Sequence, residues 1–476
     1  MSKSGGSQAQ GQRKGIFSGF LMKFAVGVAL LAIALQLYGF HMPSLMAMAG
    51  VQLIQGIHGL YGFGLILHEP LSAVPISDYV PLGYMNSLKL KGIYCMRYWM
   101  KDNFLFENEL AEIHKDILAD FERRGVPKGA DNVYEIPNFR MDEIDGLTFF
   151  NDYVKMGRPV ILKSVLDIPA MSWTPDNLAE RVGDFNTSTR CMDGTVRHWT
   201  LAEYVSSRSD PEHPCYLDNN ANIFEKKPFL EDELELWRFS KHMSGIPATS
   251  RASMPRNYLF SQMFMSVFDT TGALFHCANY NNLFMMIHGR KKWTFVDPSN
   301  SFLMYPMMNG LFKDSKSFLT WMVMHGNNSD AIIDEHFPLY RYAPKYEYTL
   351  EPGDMLLNPP WNWHMVENLD KESIGIAQRW RMASVWPYTN ALFSFLQFSS
   401  WEFSSFMYNR IATLQGARQF EYKPTAHQSP DHAVNFGKYG SVYEHRSLMR
   451  HVTPPAQWKE YVHSLIADGY ITEETP

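Results

Sequence analysis

The chain has 476 residues, 46% of them hydrophobic, which is enough for one membrane segment and one large folded domain. Its net charge of −6 and pI near 6.3, without a cluster of lysines and arginines, argue against a nucleic-acid partner, because phosphate binding needs clustered basic side chains. Its four cysteines have no CxxC spacing, which argues against a disulfide scaffold and against a cysteine zinc site.

The N-terminal segment combines a polar start with an apolar run. Residues 1–23 are rich in Gly, Ser and Gln and carry basic residues, so we expect a disordered basic N-terminus. Residues 24–40 (FAVGVALLAIALQLYGF) contain no charge and, with the flanking turn, are long enough to cross the hydrocarbon layer. A cleaved signal peptide is the alternative, but no small-x-small cleavage site follows directly. The pattern predicts a transmembrane anchor.

A second, weaker apolar stretch covers residues 45–67 and contains glutamines and several glycines. It is consistent with a second span, an interfacial helix or a buried helix. Basic residues on the N-terminal flank favour a cytosolic N-terminus. One span then places the following domain on the lumenal side of the secretory pathway, as we expect, and two spans return it to the cytosol. The sequons Asn186–Ser188 and Asn327–Ser329 would be usable in the lumen, although such triplets often arise by chance.

Cys191 and Cys215 do not show by themselves whether the domain lies in an oxidising or a reducing compartment. They could form a disulfide in a lumenal domain, but two buried free thiols are the expectation from the low cysteine content.

The region 89–135 has a mixed, helical pattern, with a surface helix predicted at 108–121. Further along, Thr174-Pro175 predicts an N-cap and an N1 proline, and Thr200–Glu203 predicts a capping box. These signals predict where helices begin and do not indicate a function.

After Phe268 the sequence changes to short β runs separated by Gly and Pro, which indicates an antiparallel sheet, sandwich or barrel. The predicted runs are 282–287, 292–296, 346–350, 355–357, 365–368 and 374–381. Residues 301–345 interrupt them, and we expect this segment to lie over the barrel mouth. We expect residues 388–476 to form a C-terminal helical region and tail. Their aromatic part, 390–411, either packs on the barrel or provides the face of a homodimer.

Two histidines carry the candidate chemistry. His276 lies at the end of a predicted strand in the sequence LFHCA, where a lone histidine is more often structural than a ligand. Its context changes that expectation. Lys291 follows fifteen residues later beside a Gly-Arg turn, and a Gly353-Asp354 turn leads through a strand to His364 in the sequence WNWH.

The motifs of this region stand in a fixed order: Arg158–Leu162, Trp199–Tyr204, Tyr216–Asp218, His276, Asn282-Leu283, Gly289–Lys291 and the run from Gly353 to His364. In this order the sequence, over about 136–387, resembles the JmjC (cupin-like) Fe(II)- and 2-oxoglutarate-dependent oxygenases. It is more similar to their small-molecule and protein hydroxylases than to the chromatin demethylases. The resemblance implies a mainly β fold with flanking helices, built on a double-stranded β-helix barrel, at 136–387.

The resemblance also implies ligands for Fe(II) and 2-oxoglutarate. His276 and His364 carry over as metal ligands. Lys291 carries over as the cation that binds the far carboxylate of 2-oxoglutarate.

Three further residues are weaker co-substrate candidates. Asn282 matches a family contact, while Gln378 falls near one on the late strand at an uncertain offset. Thr271 stands in for the family's co-substrate threonine, although it lies five residues before His276 and is not clearly aligned.

Ala278 departs from the family pattern, because it occupies the position of the acidic metal ligand two residues after His276. Cys277 and Asn279 project to the other face, and Asp354 belongs to a turn, so no nearby acid obviously substitutes. Three functions stay open. They are a hydroxylase with weakened metal binding, a halide-accepting iron oxygenase, and an inactive binding module. The hydroxylase, acting on an unknown protein or small-molecule substrate, is the leading hypothesis.

Overall fold

The computed structural model describes residues 79–398, apart from 101, 104, 192–195, 210–213, 236–259, 269–271, 309–313, 318, 320–328 and 381–389. The predicted N-terminal anchor at 24–40, the stretch 45–67 and most of the region 388–476 lie outside the described residues. Within the described part of the chain, no helix combines the length and the apolar character needed to cross a membrane.

The helices of the described residues lie before, between and after the strands along the chain. They are α1 Tyr84–Met100, α2 Glu107–Arg124, α3 Gly146–Thr148, α4 Pro175–Val182, α5 Leu201–Ser206, α6 Asn222–Lys226, α7 Phe229–Asp232, α8 Ser329–His336 and α9 Ala391–Phe398. A π-helical turn at Phe149–Val154 continues α3, and 3₁₀ turns lie at Gly129–Asn132, Pro169–Ser172, Ser207–Ser209, Pro298–Met304 and Pro338–Tyr342.

The helix signals in the sequence are confirmed. Helix α2 covers the predicted surface helix and buries Leu110, Ile113, Ile117 and Phe121, whose spacing of three and four residues forms one apolar stripe. The Thr174 side chain caps α4, and Thr200 closes the predicted capping box at α5.

The strands form two sheets, so the described fold is mainly β, as predicted. The strands are β1 Val133–Glu135, β2 Asn138–Arg140, β3 Val160–Lys163, β4 Asn186–Cys191, β5 Val196–Thr200, β6 Cys215–Asn220, β7 Phe260–Ser266, β8 Gly272–Ala278, β9 Asn281–His288, β10 Lys291–Val296, β11 Asp314–Lys316, β12 Lys345–Leu350, β13 Met355–Asn358, β14 Trp363–Asn368 and β15 Ser373–Trp380. One sheet has the order β1-β12-β10-β14-β8-β11, and the other has the order β2-β3-β13-β9-β15-β7-β6-β4-β5.

The nine-stranded sheet is apolar on both faces, and the two faces pack differently. On one face, residues such as Met285, Ile376 and Met263 join the core formed with the helices. On the other face, alternate residues such as Phe284 and Ala377 pack against Trp293, Phe295 and Val366 of the six-stranded sheet. The second face is therefore the barrel interior, and alternation along each strand decides which residues reach it.

Cys191 and Cys215 form a disulfide between β4 and β6, so the expectation of two free thiols is wrong. The two residues are direct cross-strand partners in the antiparallel pairing of these strands. Sequence spacing does not reveal this register, because 24 residues and a third strand separate the two cysteines. Among the described residues, Cys95 and Cys277 are not part of a disulfide.

Helix α9 packs on the barrel. Leu392, Phe393 and Leu396 are buried, and the Phe393 ring contacts Trp361 and Trp363 at centroid distances of 5.6 and 6.2 Å. Residues 391–398 thus pack on the barrel, which is one of the two alternatives that the sequence left open.

Candidate metal and co-substrate site

His276 and His364 lie side by side on neighbouring strands. Strands β8 and β14 pair in antiparallel fashion with His276 directly opposite His364, and the two ring centroids are 4.2 Å apart. Directly opposed residues of an antiparallel pair share a face of the sheet. The pairing shifts register immediately after His364, an irregularity that often accompanies functional sites.

The hydrogen bonds of His364 fix its tautomer. Its Nδ1 lies 2.9 Å from the backbone oxygen of Asn362, which can only accept, so Nδ1 carries the proton. Its Nε2 lies 3.2 Å from the Nδ2 of Asn358 and keeps a lone pair. Burial, aided by the neighbouring His276 and by Arg379, lowers the pKa of His364 well below its usual value. The ring is therefore neutral, with Nε2 in the form that binds a metal ion.

Aromatic rings hold the imidazole of His364 in place. Trp293 stacks on it at 5.5 Å between centroids, and Phe295, its cross-strand partner, lies at 5.8 Å. Phe284 contacts Trp293 edge-on at 5.0 Å and completes a line of rings across the barrel interior. Such packing restricts the orientation of a ligand side chain.

Ala278 shares the face of His276, since the two residues are separated by one strand position, and its side chain is buried. Cys277 is fully buried on the opposite face. Asp354 is also occupied elsewhere, because its carboxylate accepts the backbone N–H groups of Ser164 and Glu351 at 2.9 and 3.0 Å. Among the residues that the structure describes, no group of three His, Cys, Asp or Glu side chains could hold a metal ion.

Lys291 lies on the same face as His364. It shares that face with Trp293 and Phe295 along β10, and its cross-strand partner is Asn368. Phe295, four residues along β10, is the partner of His364, so roughly 13 Å separate the two positions along the strand. That separation suits an elongated dicarboxylate lying between the ammonium and the histidines.

The Lys291 ammonium is fully buried among uncharged groups. Its Nζ donates to the Ser373 Oγ at 2.9 Å, to the Asn368 Oδ1, and to the Tyr216 hydroxyl at 3.4 Å. The acceptors found for it within the described residues are thus all neutral. Burial lowers the pKa of Lys291 to about 7. A buried ammonium with neutral partners gains strongly from a bound anion.

Asn282 also lies on the interior face, opposite Asn358 of β13. The Oδ1 atoms of both residues, and the Nε1 of Trp293, are buried without a hydrogen-bond partner among the described residues. Buried polar atoms normally have partners. These three therefore form a polar lining suited to a polar ligand beside His364.

Gln378 lies on the other face of β15, so the structure does not bring it to the histidines. Its Nε2 donates to Ser261, whose hydroxyl in turn bonds to Glu231 of α7. The next residue, Arg379, faces the interior opposite Asn282 and contributes to the lowered pKa of His364. A shift of one residue along a strand changes the face, and this explains why the sequence pointed to Gln378 and not to Arg379. Thr271 lies outside the described residues.

Sequence reasoning also missed the neutral acceptors of Lys291. Tyr216, Asn368 and Ser373 come from three different strands, and each faces the interior. Of these three residues, only Asn368 could have been found from the sequence. Pairing β10 with β14 places it directly opposite Lys291.

Lys291 and Asn282 fit the co-substrate, and the two histidines fit the metal in part. Lys291 presents a buried cation, and the side-chain amide of Asn358, the cross-strand partner of Asn282, lies 3.2 Å from the Nε2 of His364. His276 and His364 supply two metal ligands at adjacent positions. The third position is Ala278, which has no donor atom.

Comparison with known proteins adds the context of the fold. A model of the cupin-like domain matches residues 147–384, half of the chain. HSPB1-associated protein 1 of Bos taurus is 26% identical over 245 residues, covering 46% of this chain and 46% of that protein. The tRNA wybutosine-synthesizing protein 5 of Danio rerio is 23% identical over 263 residues, covering 52% and 75%. JmjC domain-containing protein D of Dictyostelium discoideum is 24% identical over 241 residues, covering 47% and 52%. The match thus spans about half the length of the first of these relatives.

Proposed function

The chain belongs to the cupin-like domain family, with JmjC-domain relatives, and on this premise we propose that it is an Fe(II)- and 2-oxoglutarate-dependent oxygenase of the hydroxylase type. Its substrate is a protein or a small molecule. The observation that carries the proposal is Lys291, a fully buried ammonium on the same sheet face as His364, whose acceptors in the described structure are neutral.

Each side chain has a role that follows from its surroundings. His276 and His364 would hold Fe(II), and bound Fe(II) with 2-oxoglutarate supplies the activation of O₂ for hydroxylation. Asn362 orients His364 through its backbone oxygen, and Trp293 restricts the ring. Lys291 binds the far carboxylate of 2-oxoglutarate and thereby sets the direction in which the co-substrate enters.

The test is 2-oxoglutarate binding to the full-length protein, measured anaerobically by calorimetry with Fe(II) present. We expect Lys291→Met to weaken binding by at least about tenfold, because a charge-assisted hydrogen bond contributes about 1.5–3 kcal/mol. Lys292→Met is the matched control. Lys292 is the next residue of β10, faces away from the interior and pairs with Glu347 at 2.8 Å. Equal affinity in both variants would contradict the assignment of Lys291.

The other two functions make different predictions in the same experiment. An inactive binding module would bind neither Fe(II) nor 2-oxoglutarate. A halide-accepting oxygenase would bind both, and its affinity for Fe(II) would rise with added chloride, because an anion would fill the position beside Ala278.

We also propose that the barrel is tethered to a membrane by residues 24–40 and faces the lumen of the secretory pathway. The Cys191–Cys215 disulfide supports this side, since disulfides persist in oxidising compartments. Asn186, the acceptor of the first sequon, is exposed at the start of β4 and would be accessible for modification.

This second proposal is tested by extraction and glycan removal. The full chain should stay in the membrane fraction after alkaline carbonate, and enzymatic removal of N-glycans should reduce its apparent mass. Asn186→Gln should remove one of these mass steps, and Asn327→Gln serves as the comparison. Release by carbonate would contradict the anchor. A chain without glycans and with reduced cysteines would contradict the lumenal side.

A further inference from the structure

We propose that the outer face of α1, formed by Met85, Gly92, Met96, Trp99 and Met100, rests on the lipid surface of the membrane that holds the N-terminal anchor. The inference rests on the proposed tether and adds a second contact with the same membrane. Its basis is that α1 exposes apolar side chains and buries charged ones, which is the reverse of a helix that faces water.

The exposed residues of α1 form one apolar stripe. Met85, Met96 and Trp99 have exposed fractions of 60, 38 and 50%, and Met100 extends the stripe at 61%. Gly92 lies between them and is also exposed. From Met85 through Gly92 and Met96 to Trp99, the spacings are seven, four and three residues, which place all four on one side of an α-helix.

The opposite side of α1 is buried and fixes the orientation of the helix. Lys91 and Arg97 are both 3% exposed, and the Arg97 Nε donates to the backbone oxygen of Leu105 at 2.8 Å. Leu90 and Tyr94 lie on the same side and are almost completely buried. Turning the outer face inward would break these contacts, so the exposure of the apolar stripe follows from the packing of the domain.

Helix α2 shows the ordinary arrangement for a helix that faces water. It buries its apolar stripe and exposes charged side chains such as Glu112 and Lys115, at 75 and 77%. Helix α1 contains no Asp or Glu, and the charged residue that it exposes is Lys89. The two neighbouring helices therefore present surfaces of different chemistry.

The position of α1 in the chain indicates a lipid surface as the partner of this face. The charge-free stretches 24–40 and 45–67 precede α1, and 16 residues separate the second stretch from Tyr84. Trp and Tyr side chains are enriched where a membrane meets water, and a lysine beside them can extend its ammonium to the headgroups. An anchored chain presents the face to the lipid at high effective concentration, so weak contacts are sufficient.

Helix α1 is joined to the part of the barrel that carries His364. The Tyr94 ring stacks on Phe302 with 5.2 Å between the centroids. Beside Phe302, the Ser301 hydroxyl accepts the Trp363 Nε1–H at 2.9 Å, and Trp363 precedes His364 on β14. Contact of α1 with the membrane would therefore orient the His364 end of the barrel relative to the lipid.

The competing partner of the outer face is protein, either residues 45–67 or the same face of a second copy. Protein would also shield the apolar stripe from water, but it would not bring the stripe within reach of a quencher attached to lipid. The experiment must therefore measure contact with lipid as well as shielding from water.

The test uses the full-length chain in phosphatidylcholine vesicles, with a nitrobenzoxadiazole fluorophore attached at Met96→Cys. We expect its emission to shift to shorter wavelength and to be quenched by nitroxide-labelled lipids. An interfacial helix buries its apolar face about 5–10 Å into the headgroup boundary, so a nitroxide near the headgroup should quench more than one at the end of the acyl chain. The matched control is Lys115→Cys on α2, which should keep the emission of a fluorophore in water. The natural chain treated with the same reagent gives the background from Cys95.

A second pair of variants checks that the whole stripe contacts the lipid. With the fluorophore at Met85→Cys, Trp99→Ser should reduce the quenching by lipid, because it removes the aromatic side chain near the other end of the stripe. Glu112→Ser on α2 should leave that quenching unchanged.

The outcomes separate this inference from the proposed tether. Emission at Met96→Cys that no nitroxide lipid quenches, from a chain that resists alkaline carbonate, would overturn the inference and leave the tether standing. A shift to shorter wavelength without lipid quenching would assign the face to protein and also overturn it. Quenching by lipid in a chain that carbonate releases would contradict the tether alone.

Discussion

Replacing Lys291 by methionine should remove the pH-dependent contribution of a buried lysine to the stability of the ligand-free protein. Lys291 is fully buried, and burial lowers its pKa from 10.5 to about 7. Methionine has a similar shape and no charge, so the change removes the buried ammonium and leaves the packing of the barrel interior nearly unchanged.

The size of the Lys291 contribution to the free energy of unfolding follows from the difference between its pKa values in the folded and the unfolded chain. A fall from 10.5 to about 7 corresponds to about 5 kcal/mol of destabilisation whenever the lysine is protonated in both states, that is, below about pH 7. Between pH 7 and 10.5 the unfolded chain binds more protons than the folded one, so stability rises with pH. Above that range the destabilisation is gone.

The methionine variant lacks this pH-dependent contribution but leaves the oxygens of Ser373 and Asn368 without their donor, at a cost of about 1–3 kcal/mol. At pH 6 the variant should therefore be more stable than the natural chain by about 2–4 kcal/mol. At pH 10 it should be less stable by about 1–2 kcal/mol, because the natural lysine is then largely uncharged when folded.

Urea denaturation of both proteins at pH 6 and pH 10 measures this difference directly. Lys292→Met is the control, and its effect should stay within about 1 kcal/mol at both pH values because the Lys292–Glu347 pair is partly exposed. If the stability difference between Lys291→Met and the natural chain is the same at both pH values, the buried ammonium is not destabilising. The argument that it needs an anion would then fail.

Three further changes test the surroundings of the site. Gly375→Ala should cost about 1–3 kcal/mol in thermal unfolding and weaken Fe(II) binding, because the added Cβ would lie 2.1 Å from the Phe284 ring that supports the interior; an unchanged melting temperature would contradict this packing. Cys191→Ser with Cys215→Ser should lower stability by about 2–4 kcal/mol, and mass spectrometry of alkylated natural protein should show both thiols protected. Asp354→Asn should cost about 1–3 kcal/mol through one lost backbone hydrogen bond and leave Fe(II) affinity unchanged, whereas weaker metal binding would assign it as a ligand.

The strands and helix starts could be predicted because their signals are local. Six predicted β runs coincide with β9, β10, β12, β13, β14 and β15 to within one or two residues, since alternation and turn residues are visible within each segment. Thr200 closes its capping box with a residue three positions away, which sequence alone reveals.

Features that depend on the pairing of distant strands could not be predicted. Gln378 and Arg379 differ by one position, and only the register of β15 shows that Arg379 is the interior residue. Cys191 and Cys215 face each other only because β4 and β6 pair. The neighbour of Ala278 on β11 comes from a segment without a clear β pattern, so no spacing rule points to it.

The most direct test of a single site shared by metal and co-substrate is the coupling between their affinities. Fe(II) affinity should be measured anaerobically on the full-length chain with and without 2-oxoglutarate, and 2-oxoglutarate affinity with and without Fe(II). If both bind between His276, His364 and Lys291, each should tighten the other by the same factor, about 5–150-fold, and His364→Ala should abolish the coupling. Affinities that are independent of one another, or coupling that survives in His364→Ala, would contradict the account.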